Sequence, residues 1–564
     1  MDGERAALEV GEHLASLTPG SFLASIARRH AEREALVFEG RRWRYRELEA
    51  GSRQLARALV AAGVVKGARV AVLLGSRPEW VSAFFAVGLV GGVFVPLSTF
   101  AAPEELGYVL RHSDASLLLL QPGLLSHRYL AGLVASHPEL AAGEPGQLRC
   151  PALPHLRRVV ATELAERVGQ IETWAELLER GRGVPEPLLD AVAAEAAPSD
   201  DGILIYTSGT TARPKAVLHR QRAALVNGLR FARWMGLGPE DRVLSAQPFF
   251  WTAGITMSVV ATLEAGACLV LQESFEPEGA LELIERERVT ALHAWAHQQR
   301  AMAEHPSVPT RDLSTLVRID PQSPLARRAR LAGASWGLQG SYGLSETFTI
   351  FSTLPADAPL ALRQQANGRP LPGNQLRIVD PESGREVPAG QPGEIAVKGI
   401  TLMRGYHKRE PETFLDADGF FRTGDAGFVD ADGILHWTGR LSNMIKTGGA
   451  NVSPLEVEGA LIDYEPLKLG LAVGVPHPLL DEAVVLCAVR RDDSRPVTEE
   501  QVRTHLRGRL ASYKVPRRVL FFRSEELAFT GNQKVQLAPL REKALARLEA
   551  EGAEIAGHVY GARG

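Results

Sequence analysis

Tyr206-Thr-Ser-Gly-Thr-Thr-Ala-Arg-Pro-Lys215 follows the apolar run Gly202-Ile-Leu-Ile205 and precedes Ala216-Val-Leu-His219. A short β-branched and apolar run stopped by Thr, Ser and Gly reads as a buried strand that opens into a loop. Such a loop gathers backbone N–H groups and hydroxyls at one spot, and Lys215 adds a mobile positive charge. Amides, hydroxyls and a lysine match the oxygens of a phosphate. The order is not that of a Walker loop, G-x-x-x-x-G-K-[ST], because Lys215 follows Pro214 and no second glycine precedes it. The competing reading is a plain polar loop between strand and helix.

Around this stretch, 564 residues that are 45% hydrophobic and 23% charged are enough for a large core divided into several domains or subdomains. The balance of 63 basic and 66 acidic side chains gives a formal charge of −3, which argues against a nucleic-acid partner. Cys150, Cys268 and Cys487 lie far apart without C-x-x-C spacing. That usage points away from disulfides and from a cysteine metal site, and towards a reducing cytoplasm. The first residues lack the basic-then-apolar pattern of a signal peptide. One apolar run, Trp80 to Leu97, reaches the length of a membrane span. Gly91, Gly92 and Pro96 instead divide it into a buried helix, a turn and a buried strand, so no transmembrane segment is expected.

The N-terminal third alternates helix and strand, with helices expected at 79–90 and 102–113 and strands at 68–74, 92–96 and 115–120. That alternation predicts a parallel-rich sheet covered by helices. An Ala- and Pro-rich connection is expected over 185–200, a helix over 220–235, a strand from 241, a helix over 256–263 and a strand over 268–271. His293 and His297 fall four residues apart, a spacing that puts both on one helix face, but no third ligand accompanies them.

The loop 206–215 resembles the phosphate loop of the adenylate-forming superfamily of AMP-binding enzymes, and the likeness extends over nearly the whole chain, closest in appearance to bacterial fatty-acyl-CoA synthetases. The usual loop glycines are replaced by Ala212 and Ala216. The resemblance implies an α/β fold: a large multi-subdomain N-terminal adenylate-forming domain over 1–439, a hinge at 440–442 with Ser442 at the pivot, and a small mobile α+β C-terminal domain over 443–564. It makes Thr207, Ser208, Gly209, Thr210, Thr211 and Lys215 phosphate-binding residues. Gly340-Ser-Tyr-Gly-Leu-Ser-Glu-Thr347 resembles the family's Y-G-x-[ST]-E motif. Tyr342 and Gly343 would then meet adenine, Ser345 the α-phosphate, and Glu346 a Mg²⁺ ion, for which a carboxylate is a suitable hard ligand.

In Phe421-Arg-Thr-Gly-Asp425 the resemblance implies that Asp425 holds the ribose diol, and Arg440 resembles the arginine that contacts nucleotide near the domain junction. Gly448 and Gly449 correspond to the lining of a pantetheine tunnel. Lys534, in Leu527-Ala-Phe-Thr-Gly-Asn-Gln-Lys-Val535, resembles the adenylation lysine, although Ala528 and Gln533 depart from the usual L-P-x-T-x-x-G-K pattern. Phe249, Phe250 and Trp251 fall near the acyl pocket in the same comparison, and Val289 to His297 at its far wall.

The implied chemistry has two steps. A substrate carboxylate attacks the α-phosphorus of ATP and releases pyrophosphate, with Lys534, Lys215, Thr207 and Glu346 in catalytic roles. CoA thiol then attacks the acyl adenylate and releases AMP. The expected activity is a cytoplasmic acid:CoA ligase for a medium- or long-chain fatty acid, requiring ATP, Mg²⁺ and CoA. The alternatives are an aryl-acid ligase, an acyl-AMP ligase or stand-alone adenylation enzyme serving a separate acyl carrier protein, and a non-catalytic nucleotide-binding regulator. Homodimerisation stays open.

Overall fold

The computed structural model describes residues 16–207, 214–331, 340–355, 358–447, 450–492, 494, 497–510, 514–529 and 535–561. Alternation within its central strands explains the architecture. Val70 and Val72, Leu117 and Leu119, and Ile203 and Ile205 bury into one core. Their neighbours Ala71 and Leu73, Leu118 and Leu120, and Leu204 bury into another. A strand apolar on both faces must be covered on both, which is the condition for a parallel sheet between helical layers.

The chain packs as two units, Met1–Gln375 with Lys398–Gly419, and Leu376–Val397 with Phe420–Gly564. In the first, an eight-stranded sheet runs in the order Gly405–Tyr406, Lys215–Arg220, Asp201–Thr207, Val93–Pro96, Arg69–Leu73, Leu117–Leu120, Arg158–Ala161, Ile171–Thr173. The strands from Asp201–Thr207 to Ile171–Thr173 are parallel, and the two at the other edge are antiparallel. A second sheet orders Ala291–His293, Arg242–Ser245, Cys268–Val270, Glu34–Phe38 and Arg41–Arg44. Helices Pro19–His30, Tyr45–Ala61 and Pro78–Leu89 share the first core with both sheets through Phe22, Leu48, Trp80, Phe84, Leu36 and Leu269. A short antiparallel sheet of Ser341–Tyr342, Ser352–Thr353 and Arg369–Pro370 carries the downstream motif.

The second unit holds most of a four-stranded sheet, Asn374–Val379, Gly393–Gly399, Phe421–Val429 and Leu435–Arg440. It also holds a sheet in which Asp481–Arg490 pairs antiparallel with Leu467–His477 and parallel with Arg518–Phe521. Helix Leu537–Glu551 buries Leu540, Ala544 and Leu548 in the same core as Val473, Val485 and Leu520.

The apolar run 80–97 forms helix Pro78–Leu89 and strand Val93–Pro96, with Gly91 at φ +66° between them. Glycine adopts that angle without the steric cost other residues meet. Among the described residues, no helix is long and apolar enough to cross a membrane. One expectation changes. The connection 185–200 contains helix Glu186–Ala194, where alanine-rich sequence favours helix and Leu189 is the buried anchor. The helix expected over 220–235 is Arg222–Met235, and before it Lys215–Arg220 adds a strand antiparallel to Asp201–Thr207. The loop is therefore the tip of a hairpin.

Candidate active site

Thr207 and Lys215 face each other in register at the mouth of that hairpin. Both are half-buried. The tip between them, with Ser208, Gly209, Thr210 and Thr211, lies outside the described residues, as do Gly448, Gly449 and Lys534. At the hairpin's root the Tyr206 hydroxyl is 2.9 Å from His112 Nδ1, and burial holds its proton well above the usual phenol range.

Lys215 Nζ sits over the ring of Tyr406, 5.4 Å from its centroid. The strand Gly405–Tyr406 is hydrogen-bonded antiparallel to Lys215–Arg220, which fixes that approach. The hydroxyl of Tyr406 donates to Glu346 Oε1 at 2.7 Å. One tyrosine thus links the cation of the loop to the carboxylate of the downstream motif. It leaves Glu346 with a second carboxylate oxygen, a donor type that suits Mg²⁺.

The motif itself is held from below. Gly343 has Thr349 O so near that a Cβ would lie 1.5 Å from it, so only glycine fits. Ser345, Glu346 and Thr347 form a single 3₁₀ turn, and Phe348 and Thr349 follow at φ +54° and +85°. A β-branched residue at such an angle is strained, and strain persists only where surrounding bonds enforce it. Asn227, fully buried in helix Arg222–Met235, supplies them: its Nδ2 donates to the carbonyls of Thr347 (3.2 Å), Phe348 (2.7 Å) and Ile350 (3.1 Å). His219 Nε2 lies 2.8 Å from Ser345 O. A carbonyl only accepts, so Nε2 carries the proton, and Nδ1 is a buried lone pair without a partner among the described residues. Burial pushes the His219 pKa down to about 3. Tyr342 is 7% exposed in the short antiparallel sheet.

In the second unit Asp425 lies opposite Arg440 in the ladder of strands Phe421–Val429 and Leu435–Arg440. Arg440 Nε is 2.8 Å from Asp425 Oδ1, and its Nη1 donates to Thr423 O at 3.0 Å. The Asp425 side chain is 3% exposed against 49% for Arg440. The backbone turn Leu441–Asn443, containing Ser442, follows directly.

The aromatic triplet divides. Phe249 belongs to the main core, 5.2 Å from Trp80. Phe250 and Trp251 form a separate group with Phe100 and Trp295, with centroid distances of 5.5 Å for Phe100–Phe250 and 4.6 Å for Trp251–Trp295. Next to it Gly254–Val260 is a π-helix, a form that recurs at functional sites. His293 ends strand Ala291–His293 and is buried, 3.2 Å from Ser258 Oγ, whereas His297 is exposed in helix Ala296–Glu304. The strand-to-helix change at Ala294-Trp295 removes the shared helix face their spacing suggested.

Sequence reading passed over Tyr406, Asn227 and His219. An asparagine inside a helix pattern was the available signal, because asparagine disfavours helix interiors unless its amide is used.

Within a parallel-rich α/β unit, Thr207 and Lys215 thus stand paired between antiparallel strands, with Tyr406 between Lys215 and the Glu346 carboxylate. The chain belongs to the AMP-binding enzyme family, which it matches over residues 23–407, and residues 456–534 match the AMP-binding enzyme C-terminal domain. It is an AMP-forming acid–CoA ligase, using ATP, Mg²⁺ and CoA and passing through an acyl adenylate. It is 33% identical over 531 residues to a feruloyl-CoA synthase of Amycolatopsis sp., covering 93% of this chain and 98% of the relative. The crystal structure of the anthranilate CoA ligase AuaEII in complex with anthranoyl-AMP superposes with a TM-score of 0.77 at 25% identity, covering 94% of this chain and 98% of that one. ATP-bound MatB from Rhodopseudomonas palustris gives 0.72 at 26% identity, over 93% and 99%.

Proposed function

We propose that the acid activated is bulky, hydrophobic and ring-bearing rather than a straight medium- or long-chain fatty acid. The observation that supports this is the aromatic group of Phe100, Phe250, Trp251 and Trp295, whose flat faces favour a planar ring. Two proteins to which the chain is similar are named for the aryl acids ferulate and anthranilate. On this reading Thr207, Lys215 and the loop 208–211 receive the phosphates, and Tyr342 and Gly343 the adenine. Ser345 approaches the α-phosphate, Glu346 holds Mg²⁺, and Asp425 and Arg440 bind the ribose side of the nucleotide. When bound, Mg²⁺ supplies positive charge beside the phosphates. Lys215 and the buried network behind Glu346 set the geometry in which a substrate carboxylate displaces pyrophosphate, and no protein nucleophile is required. Lys534 serves this first step. Gly448 and Gly449 serve thioester formation, with the turn after Arg440 as the pivot.

Pyrophosphate release measured with a panel of fatty, aryl and amino acids, followed by thioester detection with CoA, tests both parts. Higher kcat/KM for aryl-type acids is expected. A straight-chain fatty acid outperforming every ring-bearing acid would overturn the substrate assignment.

A further inference from the structure

Far along the sequence from every motif above, the segment after helix Tyr129–Ser136 brings three different metal-ligand types to one point. His137, Glu139 and Cys150 offer a ring nitrogen, a carboxylate oxygen and a sulfur that all lie within 4.8 Å of one another. None of the three side chains has a hydrogen bond or ion pair with another described residue, so the donor set is not spent on a structural contact. Cys150 is 3% exposed and shares a core with Leu140, Leu148, Leu153 and Leu156, while Glu139 is open to solvent and His137 half-buried. A second observation falls on the same turn. Gln170 Nε2 donates to Glu139 O, and Gln170 Oε1 is buried without a hydrogen-bond partner among the described residues.

We propose that His137, Glu139 and Cys150 form a binding site for a thiophilic divalent cation, zinc being the first choice. A sulfur, an imidazole and a carboxylate are the ligand set of a four-coordinate zinc with one further position for water or a protein oxygen. Hard ions such as Mg²⁺ disfavour the thiolate, so the site is chemically distinct from Glu346. The benefit is local: residues 142–157 contain no helix or strand, and a cation tying His137 and Glu139 to Cys150 closes that loop. C-x-x-C spacing misses the site because ten residues separate Glu139 from Cys150.

The test titrates nucleotide-free, metal-stripped full-length enzyme with Cd²⁺, following the near-ultraviolet thiolate-to-cadmium band, and repeats it with Zn²⁺ by calorimetry. An E346Q background removes the other candidate carboxylate. The expected result is one equivalent bound with the band present, the band absent in C150S, and affinity at least about tenfold weaker in H137N and in E139Q. His137 and Glu139 are near the surface, so those two variants keep the test decisive if C150S does not fold. The proposal is overturned if wild-type enzyme shows no band, if the band survives C150S, or if H137N and E139Q bind Cd²⁺ as tightly as wild type.

Discussion

Asn227 reaches three carbonyls of the segment 347–350 with the two N–H groups of one amide, one of them shared, and that concentration of bonds makes it the side chain that holds the turn carrying Glu346. Leaving buried carbonyls unpaired costs about 1–3 kcal/mol. Asn227→Ala should therefore lower thermal stability and reduce pyrophosphate release about tenfold or more, measured with acid and ATP saturating. Tyr406→Phe separates two contacts of one ring. The face over Lys215 is retained, while the hydroxyl that donates to Glu346 is lost. A hydrogen bond to a charged group contributes about 1.5–3 kcal/mol, so the Mg²⁺ concentration giving half-maximal activity should rise about tenfold or more. An unchanged Mg²⁺ requirement in Y406F would refute the link between Tyr406 and the proposed metal binding by Glu346.

The hairpin Asp201–Arg220 and the turn 343–349 are legible to different degrees, for physical reasons. The strand before the loop announces itself, because Ile203, Leu204 and Ile205 are apolar in succession and a strand covered on both faces needs that. The return strand does not. Lys215 to Arg220 alternates weakly, and its partners Asp201–Thr207 and Gly405–Tyr406 come from places nearly 200 residues apart. Glycine 343 reads as motif in the sequence, yet its necessity comes from Thr349 O folding back on it. Gly343→Ala should accordingly displace the turn. Pyrophosphate release should fall by at least about tenfold, with a loss of stability of a few kcal/mol seen in thermal denaturation. An alanine variant with wild-type melting and activity would show that this backbone approach is not essential.

Across the full chain, two buried histidines tie stability to acidity. Burial pushes both His219 and His293 from the ordinary value of 6.5 down to about 3. The unfolded chain takes up a proton on each below pH 6.5, whereas the folded chain does not until about pH 3. Their contribution is therefore complete above pH 6.5 and lost as pH falls through that window, by about 2 kcal/mol for each histidine on reaching pH 5. Denaturant midpoints measured from pH 7 to about pH 4 should fall less steeply in His293→Gln than in wild type; parallel curves would remove His293 from the explanation. Lys534 belongs to the same level of organisation, since its proposed role divides the catalytic cycle. Lys534→Ala should suppress adenylate formation far more than thioester formation from preformed acyl adenylate, and equal loss of both half-reactions would end that division.

The amino-acid order was sufficient for the alternating α/β plan and the family, and it picked out Lys215, Glu346, Asp425 and Lys534 as the residues to which the proposed chemistry is assigned. Those signals are local: periodic burial, turn glycines and functional groups at short spacings. Folding alone set Tyr406 between Lys215 and Glu346, placed Asn227 and His219 beneath the strained turn, divided Phe249 from Phe250 and Trp251, and drew Cys150 to His137 and Glu139. Each of these is a meeting of side chains from different elements or loop segments, and no local pattern encodes which groups will share a few ångströms once the sheets and helices have packed.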